Sequence, residues 1–348
     1  MKKRFNSVND STMKALLWKG GLGFKSAFPV PEPSPGWALI KVSRAGICGT
    51  DLEIMKGYKS FKGVPGHEFT GKVVSAPEHE EWIGRRVAGE INIGCGRCAW
   101  CLGGKENHCP DRRVIGIAGL DGCMAEYCTL PVGNLIEIPD DMRDEAAVFL
   151  EPLAAACRIL DQIPLEGREK IIVLGDGCLG ILSSWVLSTV VKDVHLLGRH
   201  GWKLEKARWR GMKTSLASQW SGEPVDIVVE ATGSPDGIAD ALRLCRPLGT
   251  VMLKTTVSSQ IGPSLTQAVV KEITIVGSRC GKMGKAINLI NTFPDIPIEL
   301  LVTAVYRLEQ ASEAFSLASG GPSLKVLFEI PGAGKPKRSI SRVHPEMR

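Results

Sequence analysis

One glycine-rich turn constrains the fold of this chain more than any other feature. Gly175, Gly177 and Gly180 form the pattern G-x-G-x-x-G directly after the apolar run KIIVL and before a helix-length apolar stretch. The first glycine allows a tight turn, the second lets a pyrophosphate approach the backbone, and the third brings helix and strand together. A helix N-terminus favours the same anion. The turn therefore predicts a dinucleotide site that includes Cys178 and Leu179, with a plain tight turn as the alternative.

The chain around this turn alternates between strand-like and helix-length segments. The runs KIIVL, DVHLLGRH, VDIVVEATG, GTVMLKTTV and EITIVGS are each separated by longer segments. Short buried strands that alternate with helices predict an α/β fold with a doubly wound parallel sheet, the Rossmann fold. The predicted cofactor site also includes Ala231, Thr232 and Gly233, which end the third of these runs.

The strand after the glycine-rich turn bears on the choice of cofactor. An NAD site usually places Asp or Glu at the end of this strand, where it binds the ribose 2′-hydroxyl. Here the strand ends in Gly198, Arg199 and His200, with no acid. A glycine leaves room for a 2′-phosphate, and Arg199 can bind it through charge-assisted hydrogen bonds. We predict that NADP is preferred and that NAD is the second option; alternatively, Arg199 stacks on the adenine and either cofactor is used.

The N-terminal half predicts a β-rich domain with a metal-binding loop. Residues 13–155 alternate short β-like runs with Gly/Pro turns. Four cysteines lie within fifteen residues, CGRCAWCLGGKENHC. Four thiolates can close a tetrahedral zinc site and leave no open position for substrate, so we predict a structural zinc. An iron–sulfur cluster and free thiols are the alternatives. The predicted ligands are Cys95, Cys98, Cys101 and Cys109.

Composition and charge exclude several function classes. Residues 1–12 and 331–348 together carry the whole net charge of +6, so residues 13–330 are neutral. We therefore expect flexible basic tails and no nucleic-acid-binding surface. The apolar run 171–191 is long enough to span a membrane, but GDGCLG interrupts it, so we expect no membrane partner. Eleven irregularly spaced cysteines and no signal-peptide pattern predict a reducing compartment, the cytoplasm.

Six motifs in a fixed order give a family resemblance. GICGTD, GHEFTG, the four-cysteine loop, EPLA, GDGCLG and VVEATGSP follow one another as in the zinc-dependent medium-chain alcohol dehydrogenases, which the chain resembles over residues 13–330. The resemblance implies a GroES-like catalytic domain (13–155), a Rossmann domain (156–294) and a C-terminal return to the catalytic domain (295–330). It also implies two zinc ions per chain, one catalytic and one structural, and a homodimer or homotetramer.

The resemblance also assigns ligands to a catalytic zinc. It implies that Cys48 and His67 bind the metal, and that Asp51 orients His67, as expected for a metal-bound histidine. Glu68 is the adjacent carboxylate that approaches the metal when ligands exchange. Glu151 stands where many members have cysteine and polyol-type members have glutamate, and it would bind zinc directly or through water.

The implied reaction is hydride transfer between an alcohol and NAD(P). Zinc would act as a Lewis acid on the substrate oxygen, and Thr50 would pass the substrate's proton. Glu53 stands where many relatives have a relay histidine, so Glu53, bulk water or the cofactor ribose completes the relay. The Arg279 side chain is expected near the nicotinamide, or in a structural ion pair. We expect an oligomer interface around residues 277–294.

Glu151 together with GHE resembles the sorbitol, threonine and sugar dehydrogenase branches. A polyol, sugar or amino alcohol, or the matching carbonyl compound, is therefore the first substrate class. The alternatives are a simple secondary-alcohol dehydrogenase or ketone reductase, a zinc-free reductase of the same superfamily, and a non-catalytic cofactor-binding protein of this fold.

Overall fold

The structure is a computed structural model that describes residues 11–256 and 265–331. The predicted basic tails therefore lie almost wholly outside the described residues. Within the described ranges, no helix is long and apolar enough to cross a membrane.

The N-terminal half is a β-rich unit with short helices between its strands. Its strands are β1 (Thr12–Trp18), β2 (Leu22–Pro29), β3 (Trp37–Gly46), β4 (Glu68–Ser75), β5 (Arg86–Gly89), β6 (Asn92–Ile93), β7 (Arg113–Ile115), β8 (Gly119–Leu120), β9 (Tyr127–Pro131) and β10 (Leu135–Glu137). Its helices are α1 (Gly49–Met55), α2 (Ala99–Leu102), α3 (Asp144–Ala147), α4 (Leu150–Cys157) and α5 (Ile159–Gln162).

The following segment forms the predicted parallel sheet. The strands are β11 (Lys170–Leu174), β12 (Asp193–Gly198), β13 (Lys213–Leu216), β14 (Val225–Glu230), β15 (Cys245–Leu253) and β16 (Thr274–Gly277). The helices are α6 (Cys178–Ser188), α7 (Gly201–Ala207), α8 (Gly237–Leu244), α9 (Thr266–Val270) and α10 (Met283–Thr292). The strand order is β13-β12-β11-β14-β15-β16 with every pair parallel. The order reverses between β11 and β14, which is where such sheets bind ligands at their carboxyl ends.

The C-terminal segment adds β17 (Val302–Tyr306), α11 (Ala311–Gly320) and β18 (Lys325–Glu329). Strand β18 pairs antiparallel with β3 and parallel with β17, so the last strand inserts into the sheet of the N-terminal half. That sheet has the order β10-β5-β4-β3-β18-β17, with β9 also paired to β3. The α/β fold class, a GroES-like β-rich unit plus a Rossmann sheet, is confirmed.

Helix α4 fixes one edge of the candidate site because its apolar face is built into the main core. Leu150 and Leu153 are fully buried in the cluster that also contains Val173 of β11 and Ile181 of α6. Burying side chains of this size contributes roughly 1.5–3 kcal/mol each. The first turn of α4, which carries Glu151, is therefore held rigidly against the Rossmann sheet.

Candidate metal centre and cofactor site

Three side chains from the N-terminal half converge on one point. A sulfur of Cys48, a ring nitrogen of His67 and a carboxylate oxygen of Glu68 all lie within 4.8 Å of one another. Cys48 is the residue before α1, and Glu68 begins β4. His67 and Glu68 are buried, and among the described residues Glu68 Oε1 has no hydrogen-bond partner. A thiol sulfur, an imidazole nitrogen and a carboxylate oxygen this close together fit a divalent cation such as zinc.

Asp51 links the start of α1 to His67. One carboxylate oxygen of Asp51 accepts a hydrogen bond from the backbone N–H of Cys48 at 2.8 Å. The other lies 3.5 Å from His67 Nδ1. Burial opposes a charge on His67, but the negative charges of Asp51 and Cys48 outweigh burial and raise the pKa of His67 well above its usual value. The arrangement places Asp51 where an orienting partner of a metal-bound histidine is needed.

Two predicted members of the proton path lie on the same helix. The Thr50 hydroxyl is 3.7 Å from the sulfur of Cys48, so it is near the metal ligands. Glu53 forms an ion pair with Lys56, one turn along α1, at 2.8 Å. The roles of Thr50 and Glu53 in a proton relay both stay predictions.

Glu151 lies outside the tight group of three donor atoms, but the charges of His67 and Glu68 act on its carboxyl group. Burial is the main reason that the pKa of Glu151 is raised, to about 7; His67 opposes this shift and Glu68 adds to it. Its place as a direct or water-mediated zinc ligand therefore stays a prediction.

Replacing Glu151 with Gln should stabilise the metal-free protein at high pH. The carboxyl group has a pKa of about 7 when folded, against 4.5 ordinarily. Folding therefore loses stability as pH rises from about 4.5 to 7, and the loss persists above that range. We expect Glu151→Gln to raise the free energy of unfolding by roughly 2–3 kcal/mol at pH 8, and by progressively less toward pH 5. Denaturant unfolding in the presence of a chelator measures this.

Glu145 provides the matched control for this pH series. Burial opposes ionisation of Glu145, but a backbone hydrogen bond and Arg44 lower the pKa of its carboxyl. Its stabilising effect is lost as pH falls, so Glu145→Gln should destabilise the protein at pH 8. A gain for Glu151→Gln that is independent of pH would contradict the assignment.

Lys325 is a component of the site that sequence reasoning missed. Its ammonium group is 2.5 Å from Glu68 Oε2 and donates a 3.3 Å hydrogen bond to the carbonyl of Ile47. Burial favours the neutral amine, but Glu68 and nearby thiols raise the pKa of Lys325 above its usual value. Glu68 is therefore held through one oxygen, while its other oxygen has no hydrogen-bond partner among the described residues. The only sequence signal was a lysine at the start of the apolar run KVLFEI.

The four-cysteine loop has the geometry expected of a closed zinc site. All four sulfurs lie within 4.8 Å of one another, and none is in a disulfide. A Cβ at Gly94 would stand 2.5 Å from the sulfur of Cys101, so glycine is required for the loop to close. Backbone N–H groups lower the pKa of Cys95 to about 6, which favours the thiolate. The residues that form the group are Cys95, Cys98, Cys101 and Cys109.

The glycine-rich turn has the close backbone packing that its sequence requires. A Cβ at Gly175 would lie 2.4 Å from the carbonyl oxygen of Ala231, and Gly175 has a φ of +122°. A Cβ at Gly180 would lie 1.9 Å from the carbonyl oxygen of Gly175. Gly177 caps α6 and faces open space, as a position approached by a ligand would.

The neighbouring loop after β14 is fixed by a buried acid. Glu230 Oε1 accepts hydrogen bonds from the backbone N–H of Thr232 at 2.8 Å and from the hydroxyls of Thr232 and Thr255 at 2.6 and 2.8 Å. Thr255 also accepts a hydrogen bond from the N–H of Gly233 at 3.0 Å. This network holds residues 231–233 at the carboxyl edge of the sheet, beside the glycine-rich turn.

Asp176 occupies the space beside Gly198 that the sequence predicts to be open for the 2′-phosphate of NADP. A Cβ at Gly198 would stand 2.4 Å from that of Asp176, so this space is filled rather than open. The Asp176 carboxylate accepts hydrogen bonds from the backbone N–H groups of Arg199 and His200, both at 2.7 Å, and contacts the His200 ring at 3.0 Å. The Arg199 side chain is exposed and forms no ion pair with any described residue.

Helix α6 brings the glycine-rich turn next to the metal ligands. Cys178, its first residue, has a pKa raised to about 12 by burial. The charges of Lys325, Glu68 and Cys48 also act on this thiol, so Cys178 lies within electrostatic range of all three. The first turn of α6 therefore lies near the group of predicted metal ligands.

Comparison with known families agrees with this architecture. The family described as "Alcohol dehydrogenase GroES-like domain" matches residues 34–140, and the family described as "Glucose dehydrogenase C-terminus" matches residues 145–330. This chain belongs to the zinc-dependent medium-chain alcohol dehydrogenase family. The resemblance inferred from the motifs is thus confirmed.

Individual relatives in this family cover nearly the whole chain. L-threonine 3-dehydrogenase of Bacillus subtilis is 29% identical over 92% of this chain and 99% of its own length. Sorbitol dehydrogenase of Halalkalibacterium halodurans is 27% identical over 91% of this chain and 99% of its own length. These relatives support an alcohol or polyol dehydrogenase.

Two solved structures have the same fold with a nicotinamide cofactor bound. A short chain alcohol dehydrogenase (RspB) from Escherichia coli CFT073, complexed with NADH, aligns with a TM-score of 0.83 and 29% identity over 92% of this chain and 100% of its own. A zinc-binding dehydrogenase from Sinorhizobium meliloti 1021, bound to NADP, aligns with a TM-score of 0.83 and 28% identity, again over 92% and 100%.

Proposed function

We propose that this protein is a zinc- and NAD(P)-dependent dehydrogenase that transfers a hydride between the cofactor and a polyol, sugar or amino alcohol. The observation that carries the proposal is the nearness of the two predicted sites. The charges of Cys48 and Glu68 in the metal-ligand group act on the thiol of Cys178, the first residue of α6. A cofactor held at the glycine-rich turn would thus have its nicotinamide end beside the metal centre, which hydride transfer requires.

Each residue of the site has a proposed task. Cys48, His67 and Glu68 would hold zinc, with Glu151 as a further ligand directly or through water. Bound zinc supplies Lewis-acid activation of a substrate oxygen. Asp51 keeps the His67 ring in one orientation.

Other roles of these side chains concern the proton path and the contacts with substrate. Thr50 is placed to take the proton of the substrate hydroxyl, because its own hydroxyl lies beside Cys48. The partnerless Oε1 of Glu68 and the carboxyl group of Glu151 could accept hydrogen bonds from further substrate hydroxyls, which favours polyols over simple alcohols. The named substrates of the relatives, threonine and sorbitol, also carry more than one polar group.

A hydride-transfer assay on the zinc-loaded full-length protein tests this function. Polyols, sugars, amino alcohols and simple secondary alcohols are supplied with NADP and with NAD, and reduced cofactor is followed at its own absorbance. Turnover of a polyol, sugar or amino alcohol that stops on chelation supports the proposal. Turnover that survives chelation would favour the zinc-free reductase, and cofactor binding without any turnover would favour the non-catalytic alternative.

We also propose that NADP is preferred over NAD, through Arg199. The Asp176 carboxylate is engaged by backbone N–H groups of the strand end, whereas the Arg199 guanidinium is exposed and unpaired among the described residues. Arg199→Ala should lower the ratio of kcat/KM for NADP to kcat/KM for NAD by about tenfold or more, since a charge-assisted contact to phosphate is lost.

Asp176 supplies the competing interpretation and the control for the cofactor experiment. If the carboxylate served the ribose 2′-hydroxyl, Asp176→Asn would reduce NAD use selectively, and Arg199→Ala would leave the ratio unchanged. Exposed Arg208, on the far end of α7, provides a charge-matched control variant, Arg208→Ala.

Two further proposals concern the protein's surroundings. A homodimer or homotetramer is supported by the edge strand β16, which carries the exposed Ile275, and by the exposed Val269 and Val270 of α9 before it. Much of the expected interface, 277–294, lies in α10, whose apolar face packs inside the chain, so the preceding segment is the better candidate. All eleven cysteines are free, which supports a reducing compartment such as the cytoplasm.

A further inference from the structure

Two arginines from distant parts of the chain meet without an acidic partner. Arg112 follows the four-cysteine loop, and Arg279 follows the last strand of the parallel sheet. Both donate to the same backbone carbonyl, that of Asn107, with Arg112 Nη1 at 2.5 Å. Among the described residues, neither guanidinium forms an ion pair. A single neutral oxygen is shared by two full positive charges.

The two guanidinium groups differ in exposure. Arg112 is partly buried, and its Nε is buried without a hydrogen-bond partner among the described residues. Arg279 is exposed, so a ligand can reach its guanidinium group from solvent.

The nearest candidates for neutralisation are already engaged elsewhere. Arg158 pairs with Asp161 at 3.3 Å, which also binds Lys285. Glu106 pairs with Lys282 at 3.3 Å. Among the described residues, the Arg112–Arg279 pair therefore has no carboxylate partner, although the Cys280 and Cys109 thiols and Tyr58 act on Arg112 with opposite charge. A ligand anion would supply that partner.

Backbone contacts tie both arginines to the metal centre. A Cβ at Gly281, two residues after Arg279, would lie 1.9 Å from the carbonyl oxygen of Ala154 in α4, the helix of Glu151. A Cβ at Gly116, four residues after Arg112, would lie 2.1 Å from the carbonyl oxygen of Gly66, which precedes His67. Both arginine-bearing segments are thus packed against the elements that supply the predicted zinc ligands.

A side chain between the two regions completes the connection. Cys280 follows Arg279 directly in the chain. The charges of Glu151, Arg279 and His67 all act on its thiol, so Cys280 lies within electrostatic range of the three groups. The two arginine-bearing segments therefore adjoin the elements that carry the predicted metal ligands.

We propose that Arg112 and Arg279 form an anion subsite that selects alcohols bearing a phosphate or carboxylate group. The inference rests on the proposed function and narrows its substrate class. Two guanidinium groups present planar, forked donors that match the oxygens of either anion. The substrate hydroxyl would reach the metal centre while its anionic end lies between the arginines. Phosphate and carboxylate share this chemistry, and the experiment separates them.

The test compares matched substrates with variants of equal charge. D-glucitol, D-glucitol 6-phosphate and D-gluconate are assayed with zinc-loaded protein. We expect kcat/KM for one of the two anionic compounds to exceed that for neutral D-glucitol by at least tenfold. Arg112→Gln and Arg279→Gln should each reduce this anionic-to-neutral ratio by about ten- to a hundredfold, mainly through KM. Arg113→Gln removes the same charge from the adjacent exposed position and should keep the ratio.

A binding measurement keeps this subsite separate from the proposed function. Isothermal titration with inorganic phosphate and with oxalate should show binding to the unsubstituted protein and to Arg113→Gln. Binding to Arg112→Gln and to Arg279→Gln should be at least tenfold weaker. Zinc content and thermal unfolding of each variant verify folding. If no alcohol is oxidised, the proposed function fails, but anion binding lost in Arg279→Gln still supports the subsite. Equal turnover of neutral and anionic substrates would overturn the proposed anion subsite. Anion binding that both Arg112→Gln and Arg279→Gln retain would also overturn it.

Discussion

Replacing His67 with Ala should reduce kcat/KM for any alcohol substrate by a thousandfold or more and lower zinc content from two ions to one per chain. His67 is buried within the group of donor atoms that also contains Cys48 and Glu68. Lewis-acid activation by a metal stabilises a transition state by several kcal/mol, and each 1.36 kcal/mol is a tenfold change in rate. Steady-state kinetics and elemental analysis of the same sample measure both quantities.

The other cysteine group gives the matched control. Cys98→Ala should also remove one zinc per chain, but from a closed site without a position for substrate. We expect this variant to lose thermal stability, while the protein that stays folded retains hydride transfer. If His67→Ala kept two zinc ions or lost less than tenfold in activity, the catalytic ligand set would be wrong.

Much of this fold could be predicted because its signals are local. The turn at Gly175 is specified by adjacent strand and helix patterns, and the structure has the close Gly180–Gly175 contact that the spacing requires. The four cysteines likewise fall within fifteen residues, so their spacing alone brings the sulfurs together. Where the residues of a site are close in sequence, motif spacing determines their geometry.

The parts that sequence did not predict depend on long-range pairing. Lys325 meets Glu68 across 257 residues, because β18 inserts beside β3 in the N-terminal sheet. Arg279 meets the carbonyl of Asn107 across 172 residues. Strand register and domain packing decide such contacts, and neither is encoded in a short motif.

The direction of a side chain can also escape prediction when its neighbours in the sequence are known. From the sequence, Gly198 is expected to leave space for a 2′-phosphate, and no motif indicates that Asp176 fills that space. Asp176 sits between two glycines of the turn, so its direction depends on backbone geometry rather than on residue type. The Arg199→Ala variant therefore tests the preference for NADP over NAD, which the residue types at the end of β12 do not determine.

Replacing Lys325 with Met should destabilise the metal-free protein by about 3–5 kcal/mol, the usual cost of leaving one partner of a buried ion pair uncompensated. Lys325 and Glu68 are both buried, and their charged atoms are 2.5 Å apart. Because the cost comes from the remaining charge on Glu68, adding Glu68→Gln to Lys325→Met should recover most of the lost stability. Denaturant unfolding of the single and double variants forms the cycle.

An exposed pair and a zinc titration complete the experiment. Lys282→Met breaks the pairs of Lys282 with Glu106 at 3.3 Å and with Glu90 at 3.7 Å. The lysine side chain is 60% exposed, so the change should cost less than about 1 kcal/mol for each pair. Added zinc should reduce the penalty of Lys325→Met, because a divalent cation beside Glu68 replaces part of the lost positive charge. A penalty unchanged by zinc would separate Glu68 from the metal. A double variant no more stable than Lys325→Met would show instead that lost packing, rather than an unpaired carboxylate, causes the destabilisation.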